Sequence, residues 1–586
     1  MPVKKATPQR RKGSKGTHVS IATPKGNERK AGSGSEGPVP ARKPRRKSPF
    51  ARHQPIALIM SKDKTGITGV AGILNVLGWG IIGTTGTVKL LRENSIQAVD
   101  IAEFIGGGAI LGGRVKSISR QIAAGLLSKS TAEDIAEIAR LRIPRIDLVL
   151  VGLYPLVDEI KREGSTVESV IEETDVGGIL ALHAAAKGQR IVLTNVRDFH
   201  KYVAPSLKDG RPPEEVMQHL MSKSWAVCGH YLASAAQYHS AGHYAALFGE
   251  RVGRPLKGEN GPQSPAALYR TFPGVEDPLA ISNFRLIEGA DLSYNNICDL
   301  DRALQTATHM AAGFEVNLNI VPEIALGLKH GNSCGAGAHG DRYVALHKML
   351  MGDRQAVFGA TIMATFEIDE AAANILLWHG TAKKRILDVI IAPAFSDAAI
   401  ALLKRKGDKC RLVVNPALRS LSAASIDTAP RFRMVRGGFL TEPNYTKILR
   451  IDEMRRDAGT KLTPEAVWDL VMAIAICQTG NSNQVCAVKN GMLLVNATNQ
   501  KARVQCVRLA ISLAEWIGHK LEGAAWCSDS FFPFDDGPKL IAAQKPSVVF
   551  TTTGSVNDED MFAAFRAGNV PLLHLPDSEA RMFGLH

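Results

Sequence analysis

The sequence predicts an α/β protein: an N-terminal domain built on a doubly wound parallel sheet, then a larger α/β region. Three observations predict it. Short apolar runs at 56–60, 80–82, 146–151 and 190–194 alternate with helical patterns, the order of parallel strands covered on both faces. The alternation resumes beyond residue 256. The chain of 586 residues is 45% hydrophobic and 22% charged, an ordinary globular balance with room for roughly three or four domains. No apolar run reaches the length of about 18 residues that a membrane-spanning helix needs, so no membrane partner is expected.

Each element has its own warrant. Strand 56–60 meets the polar turn Ser61-Lys62-Asp63-Lys64-Thr65-Gly66, and a helix follows to about residue 77. Strand 80–82 meets Gly83-Thr84-Thr85-Gly86-Thr87, with a helix over 88–93. Helix 132–143 leads into strand 146–151, and helix 179–187 into strand 190–194. Residues 201–255 read as a helical connector, because 218–249 is rich in Ala, His and Tyr and broken only by single glycines. Further on, strands are predicted at 389–392, 485–488 and 548–550, and helices at 370–377, 398–405, 464–477 and 504–517. The expected divisions are 1–55, 56–200, 201–255, 256–440 and 441–586, the last two as related α/β subdomains.

The formal net charge of +15 suggests a polyanionic partner until it is divided. Residues 1–55 hold 15 Lys/Arg against 2 Asp/Glu, whereas the remainder holds 56 against 54. The basic signal is therefore a tail, too poor in large apolar residues to offset its ordering entropy and expected to be disordered. The tail is expected to be a solvated extension, the alternative being a nucleic-acid-binding or localisation segment; no other part of the chain points to nucleic acid. The eight cysteines show neither a CxxC pair nor zinc-site spacing, so a reducing, cytoplasmic setting and no metal are expected.

Five segments fall at successive strand ends, where ligands bind in open parallel sheets. The first, Ser61 to Gly66, offers hydroxyls, lysines and a helix start, a cradle for phosphate without the P-loop pattern. The second is the hydroxyl-rich turn of Thr84 and Thr87. The third is Gly112-Gly113-Arg114-Val115-Lys116-Ser117, where an extended chain would put Arg114 and Lys116 on one side. The fourth and fifth are Leu153-Tyr154-Pro155 and Thr174-Asp175-Val176-Gly177-Gly178, the latter followed by Lys187.

Together these segments resemble the AICAR transformylase/IMP cyclohydrolase family of purine biosynthesis, which shows Ser-x-x-Asp-Lys, Ser-Thr-Gly-Gly-Thr, Gly-Arg-Val-Lys-Thr, Asn-Leu-Tyr-Pro-Phe and Asp-Ile-Gly-Gly in this order. The resemblance continues through Asp291-Leu292-Ser293-Tyr294-Asn295-Asn296, Lys329-His330-Gly331-Asn332-Ser333-Cys334-Gly335 and Ser528-Asp529-Ser530-Phe531-Phe532-Pro533-Phe534. It implies a methylglyoxal-synthase-like first domain, two cytidine-deaminase-like subdomains, nucleotide and folate substrates with 10-formyltetrahydrofolate as formyl donor, and a homodimer. Zinc deamination is not implied, since H-x-E with a downstream P-C-x-x-C is absent.

The resemblance also implies roles. In ring closure a carboxamide nitrogen attacks a formyl carbon and water leaves, so developing oxygen charge needs fixed donors. Lys116, Tyr154, Asp175 and Lys187 would surround that centre. Ser61, Lys64, Thr65, Thr84, Thr87, Arg114, Ser117 and Gly177 would hold the nucleotide. In formyl transfer, Lys329 and His330 would orient the groups and shuttle the proton, which suits an imidazole. Lys257, Gly258, Asn296, Asn483, Arg503, Asp529 and Phe531 would bind substrate.

Departures from the family pattern are concentrated in the second half. Gly152 stands where the family has Asn before Leu-Tyr-Pro. Lys257-Gly258-Glu259-Asn260-Gly261-Pro262-Gln263 replaces Arg-Tyr-Gly-Glu-Asn-Pro-His-Gln, and lysine does not reproduce a bidentate guanidinium contact. A glycine-rich stretch has become Val495 to Arg503, keeping only Gln500 and Arg503. The alternatives are a divergent paralogue that closes the ring with weakened or altered formyl transfer, and a non-catalytic nucleotide-binding protein.

Overall fold

The computed structural model describes residues 49–51, 53–111, 114–207, 210–254, 257–271, 277–457 and 461–584. Most of the basic segment 1–55 lies outside the described residues, as do Gly112 and Gly113 of the third motif. The described residues up to Tyr154, with Asp175–Ser224, form one compact unit; Pro155–Thr174, with the described residues from Trp225 onward, form another.

The first unit is built on five strands: β1 (Ile56–Ser61), β2 (Gly80–Gly83), β3 (Val99–Asp100), β4 (Leu148–Gly152) and β5 (Ile191–Leu193). Their order is β3-β2-β1-β4-β5, and every pairing is parallel. Ile56 to Ile59 and Leu148 to Val151 are at most 1% exposed, as expected of central strands covered on both faces. Order reverses at β1, so the carboxyl ends of β1, β2 and β4 open onto one crevice.

Helix boundaries correct some expectations. The second turn is largely helical, since the helix after β2 is Thr85–Glu93 with Thr84 as its N-cap. The third motif is not extended: Val115 bridges back to Ile110, and the Arg114 N–H and Nε–H both donate to the Leu111 carbonyl. Arg114 and Lys116 are nonetheless both exposed, with Val115 and Ser117 between and after them less so. The connector is only partly helical. Glu214–His239 is a helix, but β6 (Gly249–Gly253) pairs with β7 (Leu268–Thr271) as a separate antiparallel hairpin. Glycines at 240–253 sit where the helical pattern stops.

The second unit carries a twelve-stranded sheet. Its strands are β8 (Arg285–Glu288), β9 (Glu323–Lys329), β10 (Asn332–His339), β11 (Thr361–Ala364), β12 (Val389–Ala392) and β13 (Arg411–Val414), then, after the exposed hairpin β14 (Arg431–Val435) and β15 (Gly438–Glu442), β16 (Arg455–Arg456), β17 (Val485–Lys489), β18 (Met492–Ala497), β19 (Ala525–Ser528), β20 (Val548–Thr553) and β21 (Leu572–Pro576). Their order is β16-β21-β20-β19-β17-β18-β10-β9-β11-β12-β13-β8. Read outward from the β10–β18 junction, both halves repeat one plan: an antiparallel hairpin, an antiparallel neighbour, two parallel additions and an antiparallel edge. The two related subdomains are thus joined edge to edge.

Helices repeat as well. Tyr294–Leu318 begins at Ser293 with a capping box to Asn296, and Pro464–Gln478 begins at Thr463 with Pro464 in the first turn. These two helices pack on each other and, through Leu300, Met310, Leu470 and Ile476, on the sheet residues Leu326, Val413, Cys527 and Phe550. Burying each such large side chain stabilises the fold by about 1.5–3 kcal/mol. Among the described residues no helix is long and apolar enough to cross a membrane.

Candidate functional site

In the first unit the strand ends assemble one cluster. Lys64 Nζ donates to Thr87 Oγ1 at 2.8 Å and also to the Ser61 carbonyl, tying the β1 turn to the helix after β2. Thr84 Oγ1 lies 3.1 Å from Thr87 Oγ1. Asp63 shapes the turn, accepting from the Thr65 N–H at 2.9 Å and the Thr65 hydroxyl at 2.7 Å. Burial lowers the Lys64 pKa, with Asp63 opposing.

Gly152 pairs with Ser61 across β1 and β4, and a Cβ at Gly152 would come 2.2 Å from Ser61 Oγ. The departure at Gly152 therefore leaves the space that the Ser61 hydroxyl takes. Beyond β4, Lys62 Nζ lies 4.9 Å from the Tyr154 ring centroid, a cation–π contact absent from the sequence reading. Asp175 Oδ1 accepts from the Gly178 N–H at 2.7 Å; burial holds its carboxyl above the usual range, opposed by bonds from Gly178 and Tyr154. A Cβ on Gly177 would sit 2.4 Å from Ser117 Oγ, so the segment carrying Lys116 reaches the start of helix Gly177–Lys187.

Lys187 does not join them. It closes the same 11-residue helix that Gly177 opens, about 15 Å away along the axis, and is exposed near the start of β5. A helix returning between parallel strands carries its last residue to the amino ends of those strands.

In the second unit the hairpin turn between β9 and β10 presents His330, with positive φ at His330 (52°) and Gly331 (73°). Lys329 Nζ donates to the Phe358 carbonyl at 3.0 Å. Asp299, which sequence reasoning missed, accepts from the Gly331 N–H at 2.8 Å. Asn332 reaches the other half of the sheet, its Oδ1 accepting from the Asn481 N–H at 3.1 Å. The Lys257 carbonyl accepts from the Tyr294 N–H at 3.2 Å, seating segment 257–263 on the start of helix Tyr294–Leu318. Gly258 is needed there, since a Cβ would meet the Gln263 carbonyl oxygen at 2.1 Å.

Three expected ligand contacts prove to be internal. Asn296 is buried, completes the capping box and donates from Nδ2 to Asp388 Oδ2 at 2.8 Å. Arg503 is 7% exposed and Asp529 1%; they form an ion pair, and Arg503 also donates to Ser528 Oγ at 2.9 Å and Asn483 Oδ1 at 2.8 Å. A guanidinium so enclosed is not open to a substrate anion. Asn483 further donates to the Gln500 carbonyl at 2.8 Å, and Phe531 is half-buried beside Phe532. Among the described residues no group of three or more His, Cys, Asp or Glu side chains is placed to hold a metal ion.

A family model described as AICARFT/IMPCHase bienzyme matches residues 185–513, more than half of the chain. The chain belongs to this family. An MGS-like domain model matches residues 66–180, which include β2, β3 and β4 of the five-stranded unit, and the two models follow in the bienzyme's order. A solved structure titled "Crystal structure of ForH" is 33% identical, covers 32% of this chain and 100% of its own, and superposes with a TM-score of 0.29. For an AICARFT/IMPCHase bienzyme, the five-stranded unit and the duplicated sheet account for the two halves of the family layout.

Proposed function

We propose that the chain formylates an aminoimidazole carboxamide nucleotide and closes the product to the purine ring, with closure in residues 56–200 and formyl transfer in 256–586. The observation that most supports this reading is the convergence of Ser61, Lys64, Thr84, Thr87, Ser117, Tyr154, Asp175 and Gly177 on one set of strand ends, within a chain of this family. Ser61, Lys64, Thr65, Thr84, Thr87 and the helix start at Thr85 would hold phosphate and ribose. Lys116 steadies the oxygen charge that develops as the ring closes. Asp175, anchored beside Tyr154, orders the carboxamide and accepts its proton. Lys187 has no part in this reading.

The family's formyl donor is a folate, used here as a co-substrate that supplies an activated one-carbon group. Lys329 and His330 fit its chemistry, standing together at a rigid turn where an amine nucleophile can be oriented and relieved of a proton. A homodimer and a cytoplasmic location belong to the same reading.

A second reading, ring closure with altered formyl transfer, is favoured by one observation: Arg503 is committed to Asp529 and Asn483, and Lys257 is exposed, so anionic substrate groups meet fewer fixed guanidinium donors. Two assays on the purified chain separate them, one with formyl-AICAR and one with AICAR plus 10-formyltetrahydrofolate. Turnover in both supports the first reading, turnover in the first alone supports the second, and turnover in neither refutes both.

A further inference from the structure

The two halves of the large sheet build the same turn by the same device. β9 and β10 join through His330 and Gly331, at φ 52° and 73°; β17 and β18 join through Asn490 and Gly491, at φ 52° and 66°. Behind each turn lies a carboxylate on the packed helix. Asp299 Oδ1 accepts from the Gly331 N–H at 2.8 Å, and Thr361 Oγ1 lies 3.5 Å from Oδ2. Asp469 accepts from the Asn490 N–H at 2.7 Å and the Gly491 N–H at 2.6 Å. Asp299 is the sixth residue after the N-cap Ser293, and Asp469 the sixth after the N-cap Thr463. The preceding lysines match as well: Lys329 donates to the Phe358 carbonyl and Lys489 to the Glu522 carbonyl.

The repeats differ at the first turn residue. Asn-Gly suits a two-residue turn in which both residues have positive φ. Histidine does so less well, since a left-handed backbone costs a residue with a side chain about 1–2 kcal/mol. Contacts around the turn must hold His330 there. They are the Asp299 bond to Gly331 and the Asn332 Nδ2 bond to the His330 carbonyl at 3.2 Å.

We propose that Asp299 is a positioning residue: by anchoring the Gly331 N–H it fixes the backbone that presents His330 to the formyl-transfer site. Asp469 is the same anchor under a turn that carries no chemistry. The proposal rests on the reading of His330 as a participant in formyl transfer.

The test compares Asp299→Ala, Asp299→Asn and Asp469→Ala in the full chain. Asp299→Ala should lower kcat of formyl transfer about tenfold or more, with KM for the nucleotide within about twofold. Asp299→Asn keeps an acceptor for Gly331 and can donate to Thr361 Oγ1, so kcat should stay within about threefold. Asp469→Ala should lower Tm at least as much as Asp299→Ala while leaving kcat intact. Amide hydrogen exchange at Gly331 should accelerate in Asp299→Ala and stay slow in the other two. An Asp299→Ala kcat unchanged, or lowered no more than in Asp469→Ala, overturns the proposal. If the wild-type chain transfers no formyl group, the reading of His330 fails by itself. The anchor is then judged on exchange alone, and unchanged exchange at Gly331 in Asp299→Ala overturns it too.

Discussion

Arg503 and Asp529 form an ion pair shut inside the second half of the duplicated sheet, with the guanidinium also bonded to Ser528 and Asn483. Both residues carry motif positions, yet they meet each other rather than solvent. Removing one partner strands the other charge in a poorly solvated place. Asp529→Ala should therefore destabilise the chain by about 3–5 kcal/mol in denaturant unfolding. Arg503→Met combined with Asp529→Leu should recover most of that loss, because no lone charge remains. Equal destabilisation in the single and double variants would contradict this account.

The geometry of the first unit separates two lysines that sequence alone treated alike. Lys116→Ala should abolish closure of formyl-AICAR, since the Lys116 segment reaches the start of the helix that Asp175 precedes. Lys187→Ala should leave closure within about twofold, because a helix of this length puts Lys187 about 15 Å from that start. Steady-state cyclisation assays on the two variants check both statements.

Burial holds the carboxyl of Asp175 above the usual range. The folded chain then keeps a proton that the unfolded chain, with an ordinary value of about 3.9, has already released. This contribution to stability is complete below the unfolded pKa and is lost as pH rises through the folded value. Asp175→Asn lacks that loss. Its Tm relative to wild type should accordingly climb as pH is raised from about 4 toward neutrality. A constant difference across that range, followed by scanning calorimetry, would count against a raised carboxyl.

Gly258 accepts no side chain without moving backbone, because the Gln263 carbonyl stands 2.1 Å from where a Cβ would be. Gly258→Ala should displace segment 257–263 from the start of helix Tyr294–Leu318. Formyl transfer should fall by about tenfold or more, through lost orientation, while ring closure in the other unit is retained. Parallel assays of the two steps on one preparation give the comparison.

Much of the strand-end cluster was legible in the sequence. Apolar runs near 56–60 and 146–151 predicted buried parallel strands, and the turns rich in Lys, Ser and Thr fell at their carboxyl ends, where Lys64, Thr84 and Thr87 do meet. Helix starts were less legible: Thr85 and Gly86 resemble turn residues locally, yet they form the exposed first turn of a helix whose Thr87, Val88 and Leu91 are buried. Asp299 was missed because one Asp in an amphipathic helix carries no local signal. Its role depends on a hairpin some 30 residues later in the chain. Two related subdomains were expected, but their shared strand order and Asp–turn device were not legible, because both depend on pairings between distant segments.

The sequence by itself determined the fold class, the order of the motifs and the concentration of the net positive charge in the first 55 residues. These follow from periodicity and composition, which are local properties of a chain. Only the tertiary structure decided which motif residues face a crevice and which satisfy one another. Lys187 left the cluster because a helix has a fixed rise per residue. Arg503 and Asp529 turned inward because a charge buried beneath the surface needs its partner within hydrogen-bond reach. Asp299 came to stand behind His330 because the backbone of a tight turn needs an acceptor that only another element could supply.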